Sequence, residues 1–252
     1  MGCKNIKQRD KIVLNSVTLN ILNQYQDFID NIQIVADMGC GLGNDALWWA
    51  TLTDERGNLR NIKVNAIDHN IDKLKIIKHP NVTYKECNFT NTGLSNNSFD
   101  FVWAYNSLQY SLSPLHTLSH WWDIMKVDAM LLITLPYNFS IDNHRDVLKV
   151  DTEYQQNCYF NWTLGNLIMS LVITGFDCRN SYFKIDKEHG YIQAAVYKLP
   201  EQIDINLNWY QLCDKKMLPL CLEEAIMKNG NFKESDIICE WIDRTQYILR
   251  VL

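Results

Sequence analysis

The sequence contains no run of about 18 apolar residues, the shortest length typical of a membrane-spanning helix, although 47% of its 252 residues are apolar. Its first residues also lack the charged and then apolar pattern of a secretory signal. We therefore expect no membrane span and a cytoplasmic location. Length and composition predict one domain with a sizeable core, or one domain with a small addition.

Positive charge is not concentrated anywhere in the chain. The formal net charge is −5, and lysine and arginine form no cluster. Proteins that bind nucleic acids usually present a basic face to the phosphates. The composition therefore disfavours DNA or RNA as a partner.

The eight cysteines include no C-x-x-C pair, and no histidine follows them at a zinc-site spacing. This scatter indicates ordinary thiols in a reducing compartment. His116 and His120 lie four residues apart on one predicted helix, but no third ligand stands at a suitable spacing. We expect no metal.

The most informative stretch is IVADMGCGLGN, residues 34 to 44. An apolar run ends in Asp37, and Gly39, Gly41 and Gly43 then alternate with other residues before a helical pattern begins. A buried strand, a glycine turn and a helix N-terminus form the unit by which α/β folds hold nucleoside-containing ligands. Glycine allows positive φ angles and a close approach of the ligand to the backbone.

The same residues satisfy a second pattern. Gly41, Gly43 and Ala46 match G-x-G-x-x-A, and Asp68 stands 22 residues beyond Ala46, close to the spacing of dinucleotide-binding proteins. A nicotinamide-dependent oxidoreductase therefore stays open on this stretch alone.

Strands and helices are predicted to alternate along most of the chain. Strands are predicted at residues 33–37, 63–68, 82–87, 99–105 and 129–135, and helices at 14–28, 44–53, 71–77, 114–125 and 163–174. This alternation indicates a parallel sheet covered on both faces. Residues 176–185 and 191–199 are spaced as an antiparallel hairpin. Residues 201–252 add two short helices and a last strand-like run.

Taken together, the chain resembles the class I S-adenosylmethionine-dependent methyltransferases. The resemblance covers residues 30 to 200 and rests on several motifs in order. These motifs are Asp37-Met38-Gly39-Cys40-Gly41-Leu42-Gly43, the acid Asp68, Asn88-Phe89, Ser98-Phe99-Asp100 and Gly175-Phe176. It implies a Rossmann-like α/β domain over 1–200, whose doubly wound, mostly parallel seven-stranded sheet ends in an antiparallel hairpin. Residues 201–252 would form a small α/β extension packed on it.

The resemblance also implies the cofactor, S-adenosyl-L-methionine, and its site. The expected cofactor-binding residues are Asp37, Gly39, Cys40, Gly41, Gly43, Asp68, His69, Asn88, Phe89, Ala104 and Tyr105. Asp68 would accept both ribose hydroxyls, the glycine loop would approach the methionyl group, and Asp37 would face its ammonium or order the loop. Asn88 would accept from the adenine amine, and Phe89 would pack on the ring.

Three segments depart from the family pattern. The family often carries Lys-Pro-Gly-Gly where this chain has Lys126-Val127-Asp128-Ala129, and a Glu where it has His120. An acid is also usual at the position of Asn88.

Several acceptor classes stay open. Trp103-Ala104-Tyr105-Asn106 differs from the Asn-Pro-Pro-Tyr pattern of base-amine methyltransferases, and no Pro-Cys dipeptide marks cytosine chemistry. We expect a small-molecule acceptor with an O or N nucleophile, a lid at 137–162, and His144 and Tyr105 as catalytic candidates. Arg145 could hold an acidic substrate. The alternatives are methylation of RNA or protein, with 201–252 as the docking element, and a non-catalytic binding protein. A homodimer is left open.

Overall fold

The computed structural model describes residues 22, 25–71, 78–136, 162–186, 191–202, 207–229, 237–243 and 246–251. Seven strands lie in one sheet: β1 (Ile34–Met38), β2 (Lys63–Asp68), β3 (Val82–Glu86), β4 (Phe99–Tyr105), β5 (Met125–Pro136), β6 (Phe176–Asp186) and β7 (Tyr191–Lys198). Their order is β3-β2-β1-β4-β5-β7-β6. Strands β1 to β5 pair in parallel, and β7 runs antiparallel to both β5 and β6. The predicted fold class is confirmed.

Six helices are described: α1 (Gln26–Ile29), α2 (Asn44–Ala50), α3 (Pro114–Ile124), α4 (Leu164–Ile173), α5 (Trp209–Asp214) and α6 (Leu220–Asn229). A 3-10 turn covers Leu108–Tyr110. Most of the helix predicted at 14–28 and the core of the one at 71–77 lie outside the described residues. Within the described ranges, no helix has the length and apolar character needed to cross a bilayer.

The two faces of the sheet carry different cores because successive side chains in a strand point to opposite sides. Along β4, Phe101 and Trp103 face a cluster with Trp49 of α2, and Val102 and Ala104 face the cluster that contains α3 and α4. The rings of Trp49 and Trp103 lie 5.6 Å apart, edge to face. Burying each such side chain stabilises the fold by about 1.5–3 kcal/mol.

Asp100 explains the Ser98-Phe99-Asp100 motif in structural terms. Its Oδ2 accepts hydrogen bonds from the backbone N–H groups of Gln33 (3.0 Å) and Ile34 (2.9 Å), at the start of β1. Lys126 Nζ donates to Asp100 Oδ1 at 2.6 Å. The motif therefore fixes the entry of the strand that leads into the glycine loop.

The helix α3 packs one face into the core. Leu118, Trp121 and Ile124 are fully buried, whereas Leu115 is 46% exposed. Ser113 is the N-cap residue, yet its side chain makes no capping hydrogen bond. Instead Ser111 Oγ accepts from the Ser113 N–H at 3.1 Å.

The start of β5 differs from the prediction, because residues 126–129 lie inside the strand. That strand begins at Met125, four residues earlier than predicted. Phe99 pairs with Met125 and Phe101 with Met130, so the register shifts between them. Asp128 takes a φ of 62° within this irregularity.

The last segment contains a strand pair of which only one strand was predicted. β8 (Ile237–Asp243) pairs antiparallel with β9 (Gln246–Val251) in a separate two-stranded sheet. Leu212 and Cys213 of α5 and Leu222 and Ile226 of α6 belong to the same hydrophobic cluster as the α3 and α4 face of the main sheet.

Candidate functional site

The loop between β1 and α2 is tied to the end of β2. Gly39 and Cys40 both donate their backbone N–H to the Ile67 carbonyl, at 2.8 and 2.9 Å. Gly43 donates to the Cys40 carbonyl at 2.8 Å, which closes the turn into α2. The loop therefore stands at the carboxyl ends of β1 and β2, where open α/β sheets bind their ligands.

All three loop glycines have positive φ: 78° at Gly39, 50° at Gly41 and 77° at Gly43. A Cβ on Gly39 would lie 2.5 Å from Ser107 Cβ, and one on Gly43 would lie 2.8 Å from the Tyr84 hydroxyl. A Cβ on Gly41 would meet nothing within 4 Å. Gly39 and Gly43 thus permit close packing, and Gly41 leaves open space above the loop.

Asp68, the acid at the end of β2, is hydrogen-bonded to this loop. Its Oδ2 accepts from the Gly41 N–H at 3.0 Å, and its Oδ1 accepts from the Asn70 N–H at 3.1 Å. His69 Nδ1 lies 3.1 Å from the same Oδ1, although the His69 side chain is 81% exposed. The structure therefore brings Asp68, His69 and the glycine loop together.

Two further carboxyls, those of Asp37 and Asp45, belong to residues on either side of the loop in the sequence. Asp37 is 2% exposed, and its Oδ2 has no hydrogen-bond partner. Burial raises the pKa of Asp37 well above its ordinary value, and the charges of Asp45 and Asp68 raise it further. Burial also raises the pKa of Asp45, against a hydrogen bond of 2.9 Å that Trp103 Nε1 donates to its Oδ2. A positively charged group beside Asp37 would lower the pKa of that carboxyl and stabilise the charged carboxylate.

The Cys40 side chain of the loop is also buried, at 8% exposed. Burial, followed by the charges of Asp37 and Asp68, raises its pKa far above the ordinary value for cysteine. A thiolate is the reactive form of cysteine. Cys40 is therefore a protonated, unreactive thiol, and its contribution to the site is shape and backbone.

The residues predicted at the adenine end lie after β3. Asn88 is exposed, and its Oδ1 accepts from the Thr90 N–H at 2.9 Å, so its side-chain oxygen already closes a local turn. Phe89 is 8% exposed, with its ring 6.0 Å from that of Trp121, whose Nε1 donates to the Phe89 carbonyl at 3.0 Å. Contacts of Asn88 and Phe89 with a ligand stay predictions.

The carboxyl end of β4 lies beside the loop. Ala104 is fully buried, and the half-buried Tyr105 stacks on Trp103 with centroids 6.5 Å apart. Asn106 follows with a φ of 49°, and its Oδ1 is buried without a partner, as is Ser107 Oγ. The catalytic candidate His144, together with Arg145 and nearly all of the predicted lid, lies outside the described residues.

Sequence reasoning missed Asp45, Tyr84 and Ser107 as site residues. Asp45 had a visible signal, since it is an acid in the first turn of the helix that follows the glycine loop. Tyr84 and Ser107 had none, because only the three-dimensional packing brings them against Gly43 and Gly39.

His120, one of the two histidines of α3, makes a structural contact with Thr92. His120 Nε2 accepts from the Thr92 N–H at 3.0 Å and lies 2.8 Å from Thr92 Oγ1. Burial lowers the pKa of His120. Among the described residues, no group of three potential metal ligands comes together.

Comparison with known proteins agrees with this geometry. Residues 36–133, which include the glycine loop, Asp68 and β4, match the family model described as a methyltransferase domain. No curated protein matches the chain in sequence.

Several solved structures share the fold. A Listeria monocytogenes protein assigned as an S-adenosylmethionine-dependent methyltransferase is 15% identical over 69% of this chain and 97% of its own, with a TM-score of 0.52. An S-adenosylmethionine-dependent methyltransferase from Archaeoglobus fulgidus is 15% identical over 72% of this chain and 93% of its own, with a TM-score of 0.51.

A third solved structure was determined with ligands. Phosphoethanolamine N-methyltransferase 2 from Haemonchus contortus, in complex with phosphomonomethylethanolamine and S-adenosylhomocysteine, is 16% identical to this chain. The match covers 70% of this chain and 52% of that one, with a TM-score of 0.51. At these identities, the three matches show a common fold.

Proposed function

Because residues 36–133 and the sheet topology place this chain among the class I S-adenosylmethionine-dependent methyltransferases, we propose that it methylates a small molecule at an O or N nucleophile. The enzyme class and the cofactor, S-adenosylmethionine, follow from the family. The size of the acceptor is our own inference. The observation that carries it is the formal net charge of −5 without a cluster of lysine and arginine, which disfavours a nucleic acid as acceptor.

The described residues fit the cofactor. Gly41 leaves open space above the loop, which a Cβ would fill. Asp68, at the end of β2, would accept hydrogen bonds from the two ribose hydroxyls. Asp37, with its buried, unpaired Oδ2, would face the cationic methionyl end. When bound, the cofactor supplies an electrophilic methyl group, and the S–C electron pair stays on sulfur as that group leaves.

The protein's own contribution to such a reaction is mainly positioning and the exclusion of water. Trp103 and Ala104 are 0% exposed, and Tyr105, whose ring stacks on Trp103, is half-buried. Tyr105 would orient the nucleophile near the end of β4. A general base is needed only for a weakly acidic hydroxyl or a protonated amine. His144 remains our candidate for that base.

The charge of the chain supports a small acceptor over a nucleic acid. The net charge is −5, and lysine and arginine form no cluster. We place the enzyme in the cytoplasm, which its free, buried Cys40, Cys178 and Cys213 support.

The experiment is a methyl-transfer assay with radiolabelled S-adenosylmethionine and three separate acceptor pools. The pools are a cell extract filtered to small molecules, purified total RNA, and total protein. We expect label only in the small-molecule pool, and none with Asp68→Ala. Label in RNA or protein would replace our proposal with the macromolecular alternative. Cofactor binding without label in any pool would favour a non-catalytic binding protein.

A further inference from the structure

Two buried polar side chains stand side by side on β5 and β7, and the site described above does not use them. Thr134 and Gln193 pair in the antiparallel ladder of these strands. Both residues are 0% exposed. Thr134 Oγ1, Gln193 Nε2 and Gln193 Oε1 all lack a hydrogen-bond partner. Buried polar groups are almost always hydrogen-bonded, and an exception calls for a specific explanation.

Neither residue is explained by its own strand. The neighbours on the same face, Leu132 of β5 and Ala195 of β7, are fully buried and apolar. A glutamine or threonine beside them adds no packing that an apolar residue could not supply. Leaving an amide unpaired in the interior costs stability, and the described residues offer these side chains no partner.

Their position relative to the cofactor site follows from the sheet register. Tyr105 of β4 pairs with Thr134, and Thr134 pairs with Gln193. Residues that pair across neighbouring strands lie on the same face, and the strands are about 4.8 Å apart. The three side chains therefore form a row that begins at the carboxyl end of β4 and extends about 10 Å across the sheet.

The side chains next to this row are either aromatic or belong to an ion pair, whose two charges cancel. The rings of Tyr105 and Tyr191 lie 6.1 Å apart, with their planes at 46°. Lys184, which pairs with Gln193 on the far side, lies 3.7 Å from Asp186. A carboxamide presents a donor and an acceptor side by side. The complement of that arrangement is an uncharged edge that also carries one acceptor and one donor.

We propose that Gln193 and Thr134 recognise the methyl acceptor, and that this acceptor is an uncharged planar molecule with a cis-amide edge, such as a lactam or pyridone ring. This inference rests on the proposed function, since it places the acceptor beside the cofactor. Gln193 pairs with the amide edge through two hydrogen bonds, Thr134 binds a neighbouring polar atom, and the tyrosine rings contact the ring of the acceptor.

The test uses 2-pyridone as the probe, with benzoate and benzylamine as anionic and cationic comparisons of similar size. The full-length protein is first titrated with S-adenosylhomocysteine and then, at saturation, with each probe by ligand-detected NMR. We expect 2-pyridone to bind more tightly than either charged probe. Gln193→Met should weaken 2-pyridone binding about tenfold or more, because two hydrogen bonds are lost.

Gln193→Met also has a readout that a purely structural glutamine would not give. Replacing an unpaired buried amide with an apolar side chain of similar shape should raise the Tm, by about 2–4 °C. Gln202→Met is the matched control, because Gln202 is exposed and its Nε2 donates to Ser119 Oγ at 3.1 Å. The control should change neither the Tm by more than about 1 °C nor the binding of 2-pyridone.

A third variant tests which groups donate and which accept the hydrogen bonds to the acceptor molecule. Gln193→Glu replaces the donor with a second acceptor. This variant should no longer bind 2-pyridone and should instead bind 2-aminopyridine, whose protonated edge carries two donors. A fall in Tm for Gln193→Met, or unchanged 2-pyridone binding, would overturn the inference. So would tighter binding of a charged probe by the wild type. Failure of the wild type to bind S-adenosylhomocysteine would instead reject the proposed function, and this inference with it.

Discussion

At the scale of single residues, the glycines of the loop are needed for two different reasons. Gly43 has a φ of 77° and stands where a Cβ would lie 2.8 Å from the Tyr84 hydroxyl, whereas Gly41 has no atom within 4 Å of its own Cβ position. Gly43 is thus required by the protein's packing. We propose that Gly41 is required by the cofactor, which would fill the space above it.

Alanine at these two positions should therefore give different results. We expect Gly43→Ala to lower the free energy of unfolding by about 1–3 kcal/mol, from backbone strain and the contact with Tyr84. Gly41→Ala should cost about 1 kcal/mol for its φ alone, but it should weaken S-adenosylhomocysteine binding about tenfold or more. Urea unfolding and calorimetry measure the two effects. Equal loss of stability in both variants would contradict the assignment.

Asp37 gives a prediction about pH. Its pKa in the folded protein is raised above the ordinary 3.8, chiefly by burial, so the folded carboxyl keeps a proton that the unfolded chain has lost. That contribution to stability is fully present below about pH 3.8 and is lost as the pH rises through the folded pKa. Asp37→Asn should therefore stabilise the protein at pH 8, by about 1–3 kcal/mol, and much less at pH 4.

Urea midpoints at the two pH values measure this difference. Asp54→Asn is a control of opposite sign, since hydrogen bonds from Asn58 lower the pKa of that exposed carboxyl. Loss of the Asp54 charge should slightly destabilise the protein at pH 8. An Asp37→Asn variant that is less stable than the wild type at pH 8 would contradict the buried, unpaired state of Asp37.

At this scale, the sequence predicted which residues lie together where a residue type has one main use in such a loop. The alternating glycines and the two strand-end acids Asp37 and Asp68 lie together, as expected. Thr134 and Gln193 escaped notice because one polar residue in an apolar strand has no local signal. Their pairing depends on the register of β5 against β7, which are distant in sequence.

At the scale of elements, a lysine at the end of β7 is hydrogen-bonded to the start of β5. Lys198 is 2% exposed, and its Nζ donates to the Met125 carbonyl at 2.6 Å and to Asn97 Oδ1 at 2.9 Å. The same Nζ lies 3.9 Å from the centroid of the Trp122 ring. One side chain thus connects two strands, the loop before β4 and helix α3.

Lys198→Met should lower the free energy of unfolding by about 1–3 kcal/mol, because it leaves the Met125 carbonyl buried without this donor. Lys63→Met, at an exposed position at the start of β2, should change it by less than about 0.5 kcal/mol. Urea unfolding of both variants tests the contrast. Similar small effects for both would mean that the Lys198 contacts add nothing to the fold.

Element positions were predictable where pattern and packing agree. β2 and β4 have the predicted bounds, because apolar, β-branched and aromatic residues suit a strand that is buried on both faces. The start of β5 was not predictable, since Lys126, Val127 and Asp128 carry the composition of a turn. The pairing of Phe99 with Met125 extends the strand across them.

At the scale of the whole molecule, residues 207–229 share the main hydrophobic cluster. Leu222 of α6 is 1% exposed within that cluster, whereas Met227 on the same helix is 64% exposed. Leu222→Ala should therefore destabilise the entire protein by about 2–5 kcal/mol, and Met227→Ala by less than about 0.5 kcal/mol. Tryptophan fluorescence during urea unfolding would report both.

The predicted result is one unfolding transition that moves to lower urea with Leu222→Ala. A separate early transition, with the main transition unchanged, would show that the C-terminal segment folds independently of the sheet. The sequence did not decide this point, because short amphipathic helices of this kind occur both in docked extensions and in separate domains.

The central claim is that the glycine loop and Asp68 hold S-adenosylmethionine. Its most direct test is calorimetric titration of the purified protein with S-adenosylmethionine, S-adenosylhomocysteine and NAD in parallel, for the wild type and for Asp68→Ala. Glu224→Ala is the control, since that exposed carboxylate belongs to α6 and not to the site. We predict micromolar binding of the first two ligands, lost with Asp68→Ala and kept with Glu224→Ala. Binding of NAD alone, or of none of the three, would contradict the account.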